Sequence, residues 1–361
     1  MARLKPVTLF MVAAAVLLSG CGESKTEQER VDEALESLEE ELAQNPPGPG
    51  LGEASPPPPD SASWDTDFSK ALVPLKEFRS GGPPKDGIPA IDIPQFTPAR
   101  EVDWLGGREP VILVEIDGEA RGYPLQILMW HEIANDQIGS TPIAVTFCPL
   151  CNTAIVFDRR LDGETYDFGT TGKLRNSDLV MYDRQTESWW QQFSGEALVG
   201  ELTGKELEQI PARIVSFEEL ARDHPDAPVL NRDTGFVREY GKNPYVGYDD
   251  VESPPFFPVD GDDDRLAPKE RVVYVEIGDR ALAVPYATLM TKGTVSAETE
   301  AGELVVRWRP RVASALDETF IREGWNVGAA TVELDGRPVP FHEPFWFAVA
   351  AFRPDIEIAG S

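Results

Sequence analysis

An internal repeat constrains this chain more than any other feature of its sequence. Val111 to Met129 aligns without a gap on Val272 to Met290, at a constant offset of 161 residues. Eight of the nineteen positions are identical: Val111, Val114, Glu115, Ile116, Ala120, Pro124, Leu128 and Met129. Each copy reads as a strand, a two-residue turn (Asp117-Gly118 or Gly278-Asp279), a second strand and a helix opened by proline. A repeated unit of this kind confines a chain to folds that pack copies of it together. The expected fold is α+β and strand-rich, with two related subdomains, each containing a hairpin-plus-helix unit. The copies diverge after the helix. The first continues Trp130-His131-Glu132 and later Phe147-Cys148-Pro149-Leu150-Cys151, whereas the second continues Thr291-Lys292-Gly293 and has no cysteine. The scaffold is duplicated and the chemistry belongs to the first copy.

Between the copies the pattern favours strands at Ile143 to Phe147, Thr153 to Asp158, Leu179 to Tyr182 and Ala197 to Leu202. A short helix from Phe217 to Asp223 is opened by Ser216, with Glu219 three residues on completing a capping pattern. Four segments are expected: 1–21, a lipoprotein signal peptide and lipobox; 22–69, a flexible or helical proline-rich tether; 70–253, a domain holding the cysteines; 254–361, a second subdomain that repeats part of the first.

The start of the chain carries an address. Arg3 and Lys5 precede an apolar run from Val7 to Leu18, too short to span a bilayer, which ends Leu18-Ser19-Gly20-Cys21. This pattern resembles a lipobox, in which Cys21 is lipidated and anchors the mature protein by its acyl chains. Gly22 after the cysteine points to the outer membrane, with the folded part facing the periplasm. The tether places Val31, Leu35, Leu38 and Leu42 at 4-3-4 spacing on a charged helix, and the prolines at 46, 47, 49 and 56 to 59 end that helix and stiffen the linker.

With 62 acidic and 33 basic residues and a formal charge of −29, the surface is unsuited to nucleic acid or to anionic membrane. Its expected membrane contact is the anchor on Cys21. Three cysteines exclude a disulfide scaffold, and once Cys21 is lipidated only Cys148 and Cys151 keep thiols. The residues after Cys151 prefer a strand, so Cys-Pro-Leu-Cys reads as a strand–turn–strand knuckle rather than the helix start of a thioredoxin. Such a pair can hold a metal, exchange disulfides or form an inert bridge. Candidate partners are His131 on the preceding helix, with Met181, Glu132 and Asp136 as additional ligands or supporting groups. Copper, and after it zinc, fits a Cys, Cys and His set with a weak methionine. His224 and His342 carry no such context. The glycine-rich run from Phe168 to Ser177, with Lys173 and Arg175, offers a weak anion loop. Asn152, Arg175, Trp189 and Trp190 are candidates for lining a pocket; adjacent tryptophans in a strand face opposite ways.

Several runs together resemble the DUF3179 family of bacterial and archaeal proteins of unknown function. They are Gly122-Tyr-Pro-Leu125, His131 to Asp136, Val145 to Ala154, Leu179 to Arg184, Trp189 to Gly195 and Asn243-Pro-Tyr-Val-Gly-Tyr248. The resemblance spans about residues 86 to 250. Some relatives are labelled selenoprotein candidates, which implies redox or soft-metal chemistry at the Cys148/Cys151 region. Both positions are plain cysteine in this chain.

The resulting expectation is a lipid-anchored envelope protein whose Cys148/Cys151 centre, assisted by His131, binds a soft metal or does thiol/disulfide chemistry with a periplasmic redox or metal-transfer partner. The alternative is a non-catalytic binding or structural module with a permanent Cys148–Cys151 disulfide.

Overall fold

Short hairpins, rather than long helices, build this protein. The structure, a computed structural model, describes residue 58 and residues 60 to 360 other than residue 262. Cys21 and most of the expected tether therefore lie outside the described residues. The four α-helices among the described residues are Leu125–His131, Phe217–Asp223, Tyr286–Lys292 and Trp346–Phe352. Each has seven residues, too few to cover a sheet as a helical layer does. The sheets instead cover one another.

Five sheets of three to five strands form a five-bladed β-propeller. Blade I orders Ala212–Ser216, Pro110–Ile116, Glu119–Pro124, Pro228–Leu230 and Phe96–Pro98; blade II orders Gln209–Ile210, Thr153–Asp158, Thr141–Cys148 and Ile133–Ile138. Blade III is built on Phe168–Arg175, Asp178–Asp183, Trp189–Gln191 and Ala197–Val199, with Arg79–Ser80 on its edge. Blade IV contains Val272–Ile277, Arg280–Pro285 and Glu357–Ile358, and blade V contains Thr294–Thr299, Gly302–Arg309, Ala329–Leu334 and Arg337–Pro338.

This corrects the expected pair of α+β subdomains. The repeat is real in space, but its unit is two blades rather than a self-contained subdomain. Leu125–His131 joins blade I to blade II, as Tyr286–Lys292 joins blade IV to blade V. Buried residues of both copies, among them Ile112, Cys148, Tyr274 and Trp346, belong to one large hydrophobic cluster, so the two units share a core beside smaller clusters confined to one copy.

The duplication also runs further than sequence identity reveals. The hairpin Ile133–Ile138/Thr141–Cys148 recurs, still 161 residues on, as Thr294–Thr299/Gly302–Arg309. The last helix and strand recur at an offset of 129: Phe217–Asp223 with Trp346–Phe352, and the parallel pair Val229/Gly122 with Ile358/Ala283. The offset falls chiefly because the first copy carries blade III between Thr153–Asp158 and Gln209–Ile210. The matching strands of the second copy, Ala329–Leu334 and Arg337–Pro338, are joined by the turn Asp335-Gly336.

Blade III is held by the early residues of the described chain. Trp64 packs edge-on against Tyr182 and Trp189, and Phe68 and Phe78 do the same against Trp189. The folded body thus begins ahead of residue 70. Lys173 pairs with Asp60 at 2.5 Å and Arg175 with Glu77 at 2.8 Å, so the supposed anion loop is a strand whose cations are already neutralised.

Matching positions of the two copies differ in complementary ways. A methyl group on Gly122 would lie 2.7 Å from Leu220 and 3.1 Å from Val111, all within a tightly buried cluster. The second copy has Ala283 and the shorter Val349 at the equivalent places. Gly122→Ala is expected to cost about 1–3 kcal/mol through overpacking, and adding Leu220→Val to recover part of it. Urea midpoints of the two variants check this.

Candidate metal centre

Thr141–Cys148 and Thr153–Asp158 form a hairpin in blade II, registered from Ile143↔Asp158 to Cys148↔Thr153. The Cys-Pro-Leu-Cys segment is its turn, so the strand–turn–strand reading of the sequence holds. Asn152 closes the turn with φ 57, a left-handed conformation that asparagine tolerates better than most residues. Its side-chain amide donates to the Glu343 carbonyl at 2.6 Å, and the Cys151 carbonyl accepts from the Phe345 amide at 2.9 Å. The turn is pinned against the second copy.

The two cysteines are buried, unbonded to each other and 3.1 Å apart. The third donor is one the sequence reading overlooked. Asp178 opens a strand of blade III and is fully buried, and its carboxylate with the two sulfurs makes a group of ligand atoms all within 4.8 Å of one another. Cys151 donates its thiol hydrogen to Asp178 Oδ1 at 2.8 Å. Asp178 Oδ2 accepts from Gln191 Nε2 at 2.6 Å and from the Phe193 amide at 3.0 Å. Thr153 Oγ1 lies 3.0 Å from the Cys151 sulfur and donates to Gln192 Oε1 at 2.7 Å, while Gln192 Nε2 donates to Thr146 at 2.9 Å. With its only hydrogen committed to Gln192, Thr153 turns lone pairs toward the sulfur. The sulfur of Cys151 therefore faces the acceptors Asp178 and Thr153, and donates its own hydrogen to the carboxylate.

Glu132 adds a fourth buried acid. It follows the helix Leu125–His131 with φ 58 and ψ −30, a conformation costly for any residue with a Cβ. The second copy has Gly293 at this place with φ 74 and ψ −35, and the surrounding hydrogen bonds are the same: Glu132 N–H to Leu128, as Gly293 N–H to Leu289, and Phe147 N–H to Glu132, as Trp308 N–H to Gly293. Asn152 likewise stands where the second copy has Gly328, φ 77. The first copy retains two strained side chains at its cysteine site where the second uses glycine.

Burial pushes all four acids upward: Asp178 to about 6, Glu132 to about 8 with the Asp178 charge adding to the effect, and both thiols above their ordinary range. No arginine, lysine or histidine among the described residues neutralises them.

The other candidate residues are engaged elsewhere. His131 Nδ1 lies 2.7 Å from the Pro89 carbonyl, which can only accept, so Nδ1 carries the hydrogen and Nε2 accepts from the Tyr240 hydroxyl at 2.6 Å. Both ring nitrogens are occupied, and burial lowers the ring's tendency to protonate. Asp136 accepts from Arg121 at 2.7 Å and from Tyr123 at 2.5 Å, holding blade I to blade II. Met181 is a fully buried strand residue paired with Trp190. Trp189 and Trp190 face opposite sides as expected, but both are wholly buried: one in the aromatic cluster with Trp64, the other donating to Asp183 at 2.9 Å. Arg175 lies along the Glu77 and Gln191 side chains rather than in a pocket.

Two outcomes are expected of the metal-free protein. Because the folded state holds protons on Asp178 and Glu132 that the unfolded chain has released, the contribution of this pair to stability is full below pH about 4 and is lost as pH rises toward about 8. Melting temperature against pH should show this slope, and Asp178→Asn should flatten its lower part. Glu132→Gly, which copies the second repeat, should raise stability at neutral pH by about 1–2 kcal/mol, strain relief outweighing glycine's entropy. Denaturant titration of the metal-free variant reads this directly.

The model of a family described as "Protein of unknown function (DUF3179)" matches residues 85–356, covering both copies and the inserted blade. No curated protein and no solved structure matches the chain.

Proposed function

We propose, from the premise that this chain belongs to the DUF3179 family, that it works through a metal ion held by the thiolates of Cys148 and Cys151 and the carboxylate of Asp178. One observation carries the reading: buried sulfur and oxygen acceptors converge with no basic group among the described residues to balance them. In their ionised forms they repel one another, and a cation is what turns that repulsion into binding.

The donor set selects the metal. Two thiolates and a carboxylate suit zinc, and without His131 or Met181 the argument for copper weakens. Disulfide exchange is the less favoured chemistry, because burial raises both thiols and no helix start lowers either of them. The Thr153, Gln191 and Gln192 side chains orient the ligands from behind, as supporting groups do around metal sites. Lipid attachment at Cys21, inferred from the Leu18-Ser19-Gly20-Cys21 run, would hold this centre at a membrane surface in the cell envelope. No helix among the described residues is long and apolar enough to cross a membrane.

Metal analysis of the full chain tests the reading. About one zinc per chain is expected, lost in Cys148→Ser and in Asp178→Asn but retained in His131→Ala. Zinc uptake should release protons and tighten with rising pH. A metal-free chain with Cys148 and Cys151 oxidised to a disulfide would sink the proposal.

A further inference from the structure

The two copies treat one equivalent surface in opposite ways. Glu109 and Glu270 stand 161 residues apart at matching positions of the repeat. The carbonyl of each accepts the first amide of its copy's last helix, Phe217 at 2.9 Å and Trp346 at 2.8 Å. In the first copy the glutamate side chain is sealed in. Gln126 Nε2 donates to Glu109 Oε2 at 2.5 Å, and Arg232 Nη2 donates to Gln126 Oε1 at 2.7 Å. The Arg232 guanidinium lies 4.7 Å from the centroid of the Trp104 ring. Gln126 and Met129, both on the helix Leu125–His131, are accordingly 1% and 3% exposed.

The second copy leaves the same helix face open. Ala287 stands at the place of Gln126 and is exposed; Met290 stands at the place of Met129 and is 41% exposed. Glu270 Oε1 accepts from the Ala287 amide at 2.9 Å, and no side chain among the described residues donates to this carboxylate. Next to it opens a cleft of about 390 Å³, lined by Glu270, Ala287, Met290, Trp325 and Val327 among others. That volume is within the range of small-ligand sites. Trp325 is held by its polar groups, its indole N–H donating to Asp249 at 3.2 Å and its backbone amide to Asp317 at 2.9 Å. The residue is nevertheless 44% exposed.

The cations of the cleft are already engaged. Lys269 donates to the Tyr248 carbonyl at 2.6 Å and to Ser253 at 2.8 Å, while Arg271 meets Asp249 at 3.3 Å and Ser314 at 2.8 Å. Asp250, Glu270 and Asp317 also line the cleft, and among the described residues none of them forms an ion pair. Four carboxylates against two committed cations make the cleft a poor host for an anion.

We propose that this cleft binds a small organic cation, an ammonium or guanidinium group on a short apolar body. The cationic N–H groups meet the Glu270 carboxylate, and the apolar body lies against Trp325 and Met290. The first copy contains the same chemistry in intramolecular form: N–H donors on the matching glutamate, and a guanidinium beside an indole. Attraction between a cation and an indole face adds to the apolar contact. None of the lining residues belongs to the Cys148, Cys151 and Asp178 group, so the site is independent of the metal centre.

Calorimetric titration of the full chain with benzylguanidinium tests the proposal, with benzyl alcohol and benzoate as the neutral and anionic counterparts. Benzylguanidinium is expected to bind at least about tenfold more tightly than either. Ala287→Gln copies the first repeat and places an amide in the cleft, so it should weaken binding at least about tenfold. Glu270→Gln keeps an acceptor for the Ala287 amide and removes the charge, and should weaken binding by about the same factor. Thermal unfolding checks that both variants are folded; Ala287 is exposed, so its replacement strains no core. No measurable binding of benzylguanidinium, or benzyl alcohol or benzoate bound as tightly, would overturn the cationic ligand. Undiminished binding to Ala287→Gln would overturn the cleft as its site.

Discussion

The contact between the Cys151 thiol and the Asp178 carboxylate joins two parts of the chain that have different histories. Cys151 lies in a hairpin of the duplicated scaffold; Asp178 lies in the inserted blade. Every other feature of the site depends on that meeting. Alone, the cysteine turn offers two soft donors and no charge balance. With Asp178 and Glu132 it becomes a buried acidic cluster whose protons a cation can replace. The second copy keeps the hairpin geometry but has Arg309 at the position of Cys148 and no inserted blade, so nothing comparable can form there.

Much of the local structure was legible in the sequence because local chemistry determines it. The Ser216 side chain does cap the helix Phe217–Asp223, accepting from Glu219 N–H, since the hydroxyl satisfies an otherwise unpaired helix amide. Thr153 to Asp158 is a strand over the expected residues because its β-branched and aromatic side chains suit a pleated, buried surface. The repeat was visible through the first hairpin and helix, then vanished from view. Beyond residue 293 only the alternation and the turn positions persist, and those tolerate almost any side chain.

The rest was hidden for a different reason. His131 and Glu132 are neighbours in sequence, but the helix ends between them, and their side chains part: the histidine toward Pro89 and Tyr240, the glutamate toward the cysteines. Proximity along the chain therefore favoured the histidine of a pair in which the glutamate's charge is the one that acts on the site. Asp178 follows Cys151 by a whole hairpin and becomes its neighbour only when blade III packs on blade II. The one signal for it was the Asn176-Ser177 turn, two residues without glycine at a bend that prefers one. Fold class failed on a related point. A hairpin and a helix suggest a subdomain, yet these helices are connectors between blades, and the core they cover is shared.

Blade III interrupts blade II in the chain, and that has a consequence for how the protein acquires its shape. Gln209–Ile210, the strand that completes blade II, leaves the ribosome only after all of blade III has been made. Blade II therefore stands with an unpaired edge along Thr153–Asp158 until the insert has collapsed and returned the chain to it. The cysteine turn belongs to that unfinished blade, and Asp178 to the insert whose packing finishes it. Maturation of the centre is thus tied to the completion of blade II, and a metal captured there would act as a latch on the order of folding.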